Sequence, residues 1–69
     1  MPLAMAAPGD VKYIKRIGGR EDIKKHLEQL GFIVGVMVKV ISVIGGNIIV
    51  QIKESRVAIS REMAMKIFV

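Results

Sequence analysis

Cysteine is absent from the 69 residues. The chain therefore has no disulfide frame and no thiolate metal site, and it suits a reducing compartment such as the cytoplasm. Histidine occurs once, as His26. A ferrous site wants two or three converging ligands, for instance two histidines and a carboxylate, and His26 with Asp22 one helical turn before it makes only a pair. The sequence thus assigns no metal ligand and no cofactor. Ser42, Ser55 and Ser60 have no base on their own element, and no carboxylates are paired at a useful spacing, so no catalytic residue and no enzymatic activity are expected. Gly18-Gly19 and Gly45-Gly46 lack the lysine and the serine or threonine of a phosphate-binding loop. No apolar run approaches the roughly 20 residues of a membrane-spanning helix. Met1–Pro8 is apolar but short and has no basic leading region, which argues against a signal peptide. Neither an internal repeat nor a low-complexity linker is present, and a chain this short is expected to form one domain over residues 1–69.

What is present begins with an amphipathic segment that stops on a glycine. Ile23, Leu27 and Leu30 recur at i, i+4 and i+7 with charges elsewhere around the wheel, which predicts a short surface helix between Gly19 and Leu30. Glu21 and Asp22 fall in its first turn, where the helix dipole favours anions, and Glu21 and Lys25 are spaced for an i, i+4 ion pair. Gly31 stands where a helix C-terminus wants a left-handed residue, and Phe32 stands where a Schellman cap would fold it back on Leu27. Gly35 supplies a second turn, so the chain reverses here.

Beyond Gly35 the apolar period changes from 3.6 to two. Val36, Val38 and Val40 alternate with Met37, Lys39 and Ile41; Ile48, Val50 and Ile52 alternate with Ile49, Gln51 and Lys53. Ile44-Gly45-Gly46-Asn47 between them has the composition of a tight hairpin loop. A turn at Glu54-Ser55 then leads into a strand at Arg56–Ile59, Ser60 caps one helical turn, and Lys66–Val69 closes as a strand. Upstream, Pro8-Gly9-Asp10 turns into a basic alternating strand, Val11–Ile17. Five short strands in so small a chain cannot form two packed sheets. The predicted fold is mainly β: a small, partly open, SH3-like five-stranded barrel with the helix between strands one and two.

Eleven basic residues against six acidic ones give a net charge of +5 and a pI of about 10.0. That balance fits a small basic barrel that binds nucleic acid. The stacking half of such a surface is missing: the aromatics are Tyr13, Phe32 and Phe68, and Phe32 belongs to the helix cap, which leaves too few for a single-strand platform. The sequence therefore favours reading Lys12, Lys15, Arg16, Arg20, Lys24 and Lys25 as a solvated basic face turned toward an acidic partner or an anionic membrane leaflet.

Pro8-Gly9-Asp10, the block Leu27-x-x-Leu30-Gly31-Phe32-x-x-Gly35, Val38-x-Val40, Gly46-Asn47 and the run Arg56-Val57-Ala58-Ile59-Ser60-x-Glu62-x-Ala64-x-x-Ile67-x-Val69 together resemble FeoA, the small accessory protein of ferrous-iron uptake. Their order and spacing carry the resemblance over nearly the whole chain; Glu54-Ser55 departs from it, where many relatives have glycine before the arginine. The resemblance implies an SH3-like fold, a cytoplasmic location and a partnership with FeoB, the permease whose cytoplasmic region contains a GTPase, with membrane contact only through that partner. The same domain type is similar to the C-terminal domain of iron- and manganese-dependent repressors, and a free-standing relative of that domain is the alternative; no helix-turn-helix accompanies it here.

Strand alternation supplies a candidate contact surface. If Val36, Val38 and Val40 face the core, Met37, Lys39 and Ile41 face outward, and Ile49 joins them from the paired strand. An apolar patch with a basic rim is expected to contact another chain, either the permease or, through the patch or an edge strand, a second copy. Lys24 and Lys25 on the helix form the other candidate partner-binding surface.

Overall fold

In the computed structural model, which describes residues 1–69, helix α1 (Glu21–Gln29) ends as its glycine predicts. Leu30 is still helical, Gly31 swings to φ +105°, the Gly31 N–H donates to the Glu28 carbonyl at 3.0 Å and the Phe32 N–H to the Leu27 carbonyl at 3.0 Å. That pair of bonds is a Schellman motif. The chain then enters strand β3 (Met37–Ile44), turns through Gly45-Gly46 with Ile44 opposite Asn47, and returns as β4 (Asn47–Ile52). A second tight turn leads to β5 (Ser55–Ser60). This turn is at Lys53-Glu54, one residue earlier than predicted, with Lys53 at φ +52° and Ser55 already paired with Ile52. Ser60 caps the short helix α2 (Arg61–Ala64), its Oγ accepting the Met63 N–H at 3.2 Å, and the chain closes with β6 (Ile67–Phe68).

The predicted strand Val11–Ile17 is two strands. Strand β1 (Val11–Tyr13) pairs antiparallel with β3, whereas β2 (Arg16–Ile17) pairs antiparallel with β6. The chain changes sheets at Ile14-Lys15: Ile14 exchanges backbone bonds with Val36 and Gly35, and Lys15 donates to the Phe68 carbonyl at 2.7 Å. Six strands rather than five therefore make a four-stranded sheet in the order β1-β3-β4-β5 and a two-stranded sheet β2-β6. The two do not close into a continuous barrel, and α1 lies between β2 and β3. The fold is SH3-like and mainly β.

The inner face of the large sheet is built from Val38 and Val40, Ile48, Val50 and Ile52, and Ile59, all buried, and α1 adds Leu27 with Phe32 beyond it. Leu3, Ala4 and Ala6 from the N-terminal segment are buried in the same core, with Leu3 fully inaccessible. A 3-10 turn at Leu3–Met5 makes this possible, and the segment is tied down at its start: the Met1 amino group donates to the Val69 carbonyl at 2.9 Å and the Val69 N–H to the Met1 carbonyl at 2.8 Å. Period-two or period-3.6 patterning had no purchase on a stretch this short, so its core role was not legible. No helix is long and apolar enough to cross a membrane.

Candidate functional site

The outer face of the four-stranded sheet is where sequence alternation places unburied apolar side chains. With Val38 and Val40 inside, Met37 and Lys39 point out, and Met37 is 49% exposed. The register extends that face across the sheet. Tyr13 lies opposite Met37, a second row runs Val11, Lys39, Gln51 and Arg56, and a third brings Ser42, Ile49 and Ala58 side by side. Tyr13 (61% exposed) and Val11 (49%) therefore belong to the same surface. The sequence does not place either on it, because the pairing of β1 with β3, which sets Val11 opposite Lys39 and Tyr13 opposite Met37, is not a local signal.

Ile41 stands at a break in the ladder. The ladder is interrupted between Val40, which pairs with Val50, and Ser42, which pairs with Ile49, so that Ile41 is the extra residue of a β-bulge and is half-buried. Ile41 and Ser42 together oppose Ile49. A bulge inserts one residue into one strand, and period-two alternation cannot be carried through it. Ile49 itself is half-buried on the outer face.

The rim is polar and cationic. Gln51 organises it: its Nε2 donates to the Lys53 carbonyl at 3.1 Å and its Oε1 accepts from Arg56 Nε at 3.2 Å. Val11, Val36, Met37, Lys39, Gln51 and Lys53 line a recess of about 320 Å³ between β1 and the β4 end. Lys39, Lys53 and Arg56 form no ion pair, since the carboxylates engaged in such pairs are Asp22 with Arg20 at 3.3 Å and Glu21 with Lys24 at 3.9 Å. An apolar floor with unneutralised cations around it is chemically suited to an apolar contact flanked by acidic groups.

The helix candidates are differently placed. Lys24 is half-buried and paired with Glu21 at i, i+3, which replaces the predicted Glu21–Lys25 pair; Lys25 is exposed and unpaired. Neither adjoins the Met37 face. Lys24 instead lines a second recess of about 340 Å³ with Lys15, Arg16, Ile17, Glu28, Phe32, Ile33 and Val34. His26 is exposed on α1, its neighbour Asp22 is held by Arg20, and nowhere do three histidine, aspartate or glutamate side chains converge. Met63 is half-buried against the core, whereas Met37 and Met65 are exposed.

Comparison with known proteins agrees with the resemblance read from the motifs. The FeoA domain family matches residues 1–69. Fe(2+) transport protein A of Methanocaldococcus jannaschii is 37% identical over 68 residues, covering 99% of this chain and 83% of that protein. The crystal structure of an iron uptake regulatory protein, FeoA, superposes with a TM-score of 0.91 at 25% identity, over 97% of this chain and 91% of that one. A manganese-dependent transcriptional repressor shares the fold, with a TM-score of 0.89 at 20% identity, and there the match spans 97% of this chain but 39% of the repressor. With the family matched from the first residue to the last and a relative of that identity along almost its whole length, this chain belongs to the FeoA family of ferrous-iron transport accessory proteins.

Proposed function

We propose that this chain is a non-enzymatic adaptor that acts at the cytoplasmic side of a FeoB-type ferrous-iron permease, binding its GTPase-containing region through the outer face of the β1-β3-β4-β5 sheet. The observation that carries this reading is the combination on one face of exposed Met37, Tyr13 and Val11 with Lys39, Lys53 and Arg56, none of which is neutralised within the chain. Membership of a ferrous-iron transport family supports the choice of partner. Iron in this reading is the cargo of the permease; the adaptor contributes contacts to the transporter, and no side chain of its own is assigned to the ion. Lys39 sits within the apolar patch and would act first on encounter, because a cation near a contact steers association more than it adds affinity.

Titration of the purified chain against the detergent-solubilised permease and against its isolated GTPase domain tests the proposal. Saturable binding to at least one of them, weakened by substitutions at Met37, is the expected result, with no GTP hydrolysis by the chain itself. Absence of binding to both, together with tight RNA binding at physiological salt, would replace the adaptor with a nucleic-acid-binding barrel.

A further inference from the structure

Strand β5 is an open edge of the large sheet. It runs six residues, Ser55–Ser60, pairs with β4 on one side and has no strand on the other. Its turn fixes which backbone groups are left over. In a two-residue hairpin the closing pair exchanges both hydrogen bonds, here Ile52 with Ser55, and hydrogen-bonded pairs then alternate along the ladder. Val57 and Ile59 therefore spend their N–H and C=O groups on β4, while those of Arg56, Ala58 and Ser60 point away from the sheet. No backbone partner outside the sheet is found for Arg56 or Ala58, and both residues are exposed. Natural edges are blunted by proline, charged side chains, a bulge or a covering segment. Of these β5 has only the single charge of Arg56: it has no proline or lysine, and its register with β4 is unbroken.

We infer that β5 pairs antiparallel with the β5 strand of a second copy of this chain, about a two-fold axis at Ala58. The complement of a row of unpaired donors and acceptors is another extended backbone, and this strand is its own complement. Centring the pair on Ala58 sets Arg56 opposite Ser60 and Val57 opposite Ile59, with the smallest side chain of the strand facing itself on the axis. The outward groups of Ala58 then meet their copies and can exchange two hydrogen bonds, while the Arg56 carbonyl can accept the Ser60 N–H; the Ser60 carbonyl is already engaged as the N-cap of α2. Charge agrees with that register. Like charges do not oppose each other, and Arg56, whose guanidinium has only Gln51 as a neighbour, comes beside the end of the other strand, where Glu62 stands without a cation. Glu62 lines the recess at the foot of β5 together with Met5, Gly46, Ser60, Arg61 and Met65.

The two-fold axis is perpendicular to the sheet, so the pair forms one eight-stranded sheet with both outer faces on the same side. If those faces dock a partner as proposed above, the dimer presents two docking sites in one direction, and avidity follows without any new contact. The dimer itself does not depend on that reading. A single strand-to-strand seam is small, so a weak and reversible association is expected, with a dissociation constant on the order of 0.1 to 1 mM.

Three measurements on the intact chain test it. Sedimentation from about 10 µM to 1 mM should show a monomer–dimer equilibrium in the range estimated for a small seam. Amide exchange should show protection rising with concentration at the N–H groups of Arg56 and Ala58. Ala58→Pro, which removes an outward donor at an edge position where proline is tolerated, should weaken the dimer at least about tenfold. Because the chain has no cysteine, single-cysteine variants read the geometry independently of that proline. Ala58→Cys should cross-link under mild oxidation, and Lys39→Cys, exposed in the middle of the outer face, should not. A monomer throughout the concentration range, an unchanged dimer in folded Ala58→Pro, or cross-linking through Lys39→Cys as fast as through Ala58→Cys would each overturn the proposal.

Discussion

The Phe32 N–H reaches back to the Leu27 carbonyl at 3.0 Å, and both side chains are fully buried. This contact turns the end of α1 toward the sheet and sets where β3 begins. Gly31 makes it possible by holding φ +105°. A Cβ built on Gly31 would meet Ile52 Cγ2 at 3.5 Å, ordinary van der Waals contact, so the constraint is the backbone conformation and not space. Gly31→Val should cost on the order of 1 to 2 kcal/mol or more, because a β-branched residue is forced to positive φ. Thermal melts check this, and an unshifted midpoint would mean that the left-handed cap does not hold the reversal.

Leu3→Ala should be as damaging as a central core substitution. Leu3 is fully inaccessible although it lies in a 3-10 turn of three residues, too short to show an apolar period. Truncating a buried leucine costs about 2 to 5 kcal/mol, and stabilities of roughly 0.05 to 0.15 kcal/mol per residue leave a chain of 69 residues little in reserve. Urea unfolding should show a large loss of midpoint at nearly unchanged slope. A change below about 0.5 kcal/mol, the range of ordinary surface positions, would mean that the N-terminal segment is not part of the cooperative core.

Local chemistry explains what was legible in the sequence. The helix, its glycine cap, the Gly45-Gly46 hairpin and the Ser60 cap each depend on residues within about one turn of one another, and each is where the pattern placed it. What was not legible depends on long-range pairing. The run Val11–Ile17 alternates throughout, yet its two ends serve different sheets because β3 claims Val11–Tyr13 and β6 claims Arg16–Ile17. The face around Met37 and Lys39 followed from alternation up to Val40, and the bulge at Ile41 adds a residue that alternation cannot count. Tyr13 and Val11 join that face only through the β1–β3 register.

Ser60→Ala probes the smallest of the caps. Ser60 Oγ accepts the Met63 N–H at 3.2 Å at the start of α2, the four-residue helix that carries buried Ala64. Loss of an N-cap hydroxyl costs about 1 kcal/mol, and Ser60→Asp, which keeps an acceptor at the same position, should recover most of it. Denaturant melts of the two variants make the comparison. Equal losses in both would show that the hydroxyl is not acting as a cap.

The outer sheet face gives a prediction that separates folding from binding. Met37 is half exposed and opposite Tyr13, so Met37→Asp removes little buried surface and should lower stability by about 1 kcal/mol or less, within the span of strand propensities. Binding to the permease should fall by roughly 2 kcal/mol or more, about 30-fold, as expected for a charge set into a desolvated apolar contact. Ile49→Asp, two rows further along the same face and half-buried, should weaken binding in the same direction at a larger cost in stability. Lys39→Glu keeps the fold and replaces the cation that adjoins Val11 and Gln51 with an anion. Its effect should appear in the association rate and in a flatter salt dependence, with dissociation little changed. Lys25→Glu, on the exposed side of α1 away from this sheet, serves as the control and should leave both rates near wild type. Surface-binding kinetics at two ionic strengths, with a thermal melt for each variant, resolve these outcomes. Wild-type binding by Met37→Asp together with a loss in Lys25→Glu would move the docking surface from the sheet to the helix.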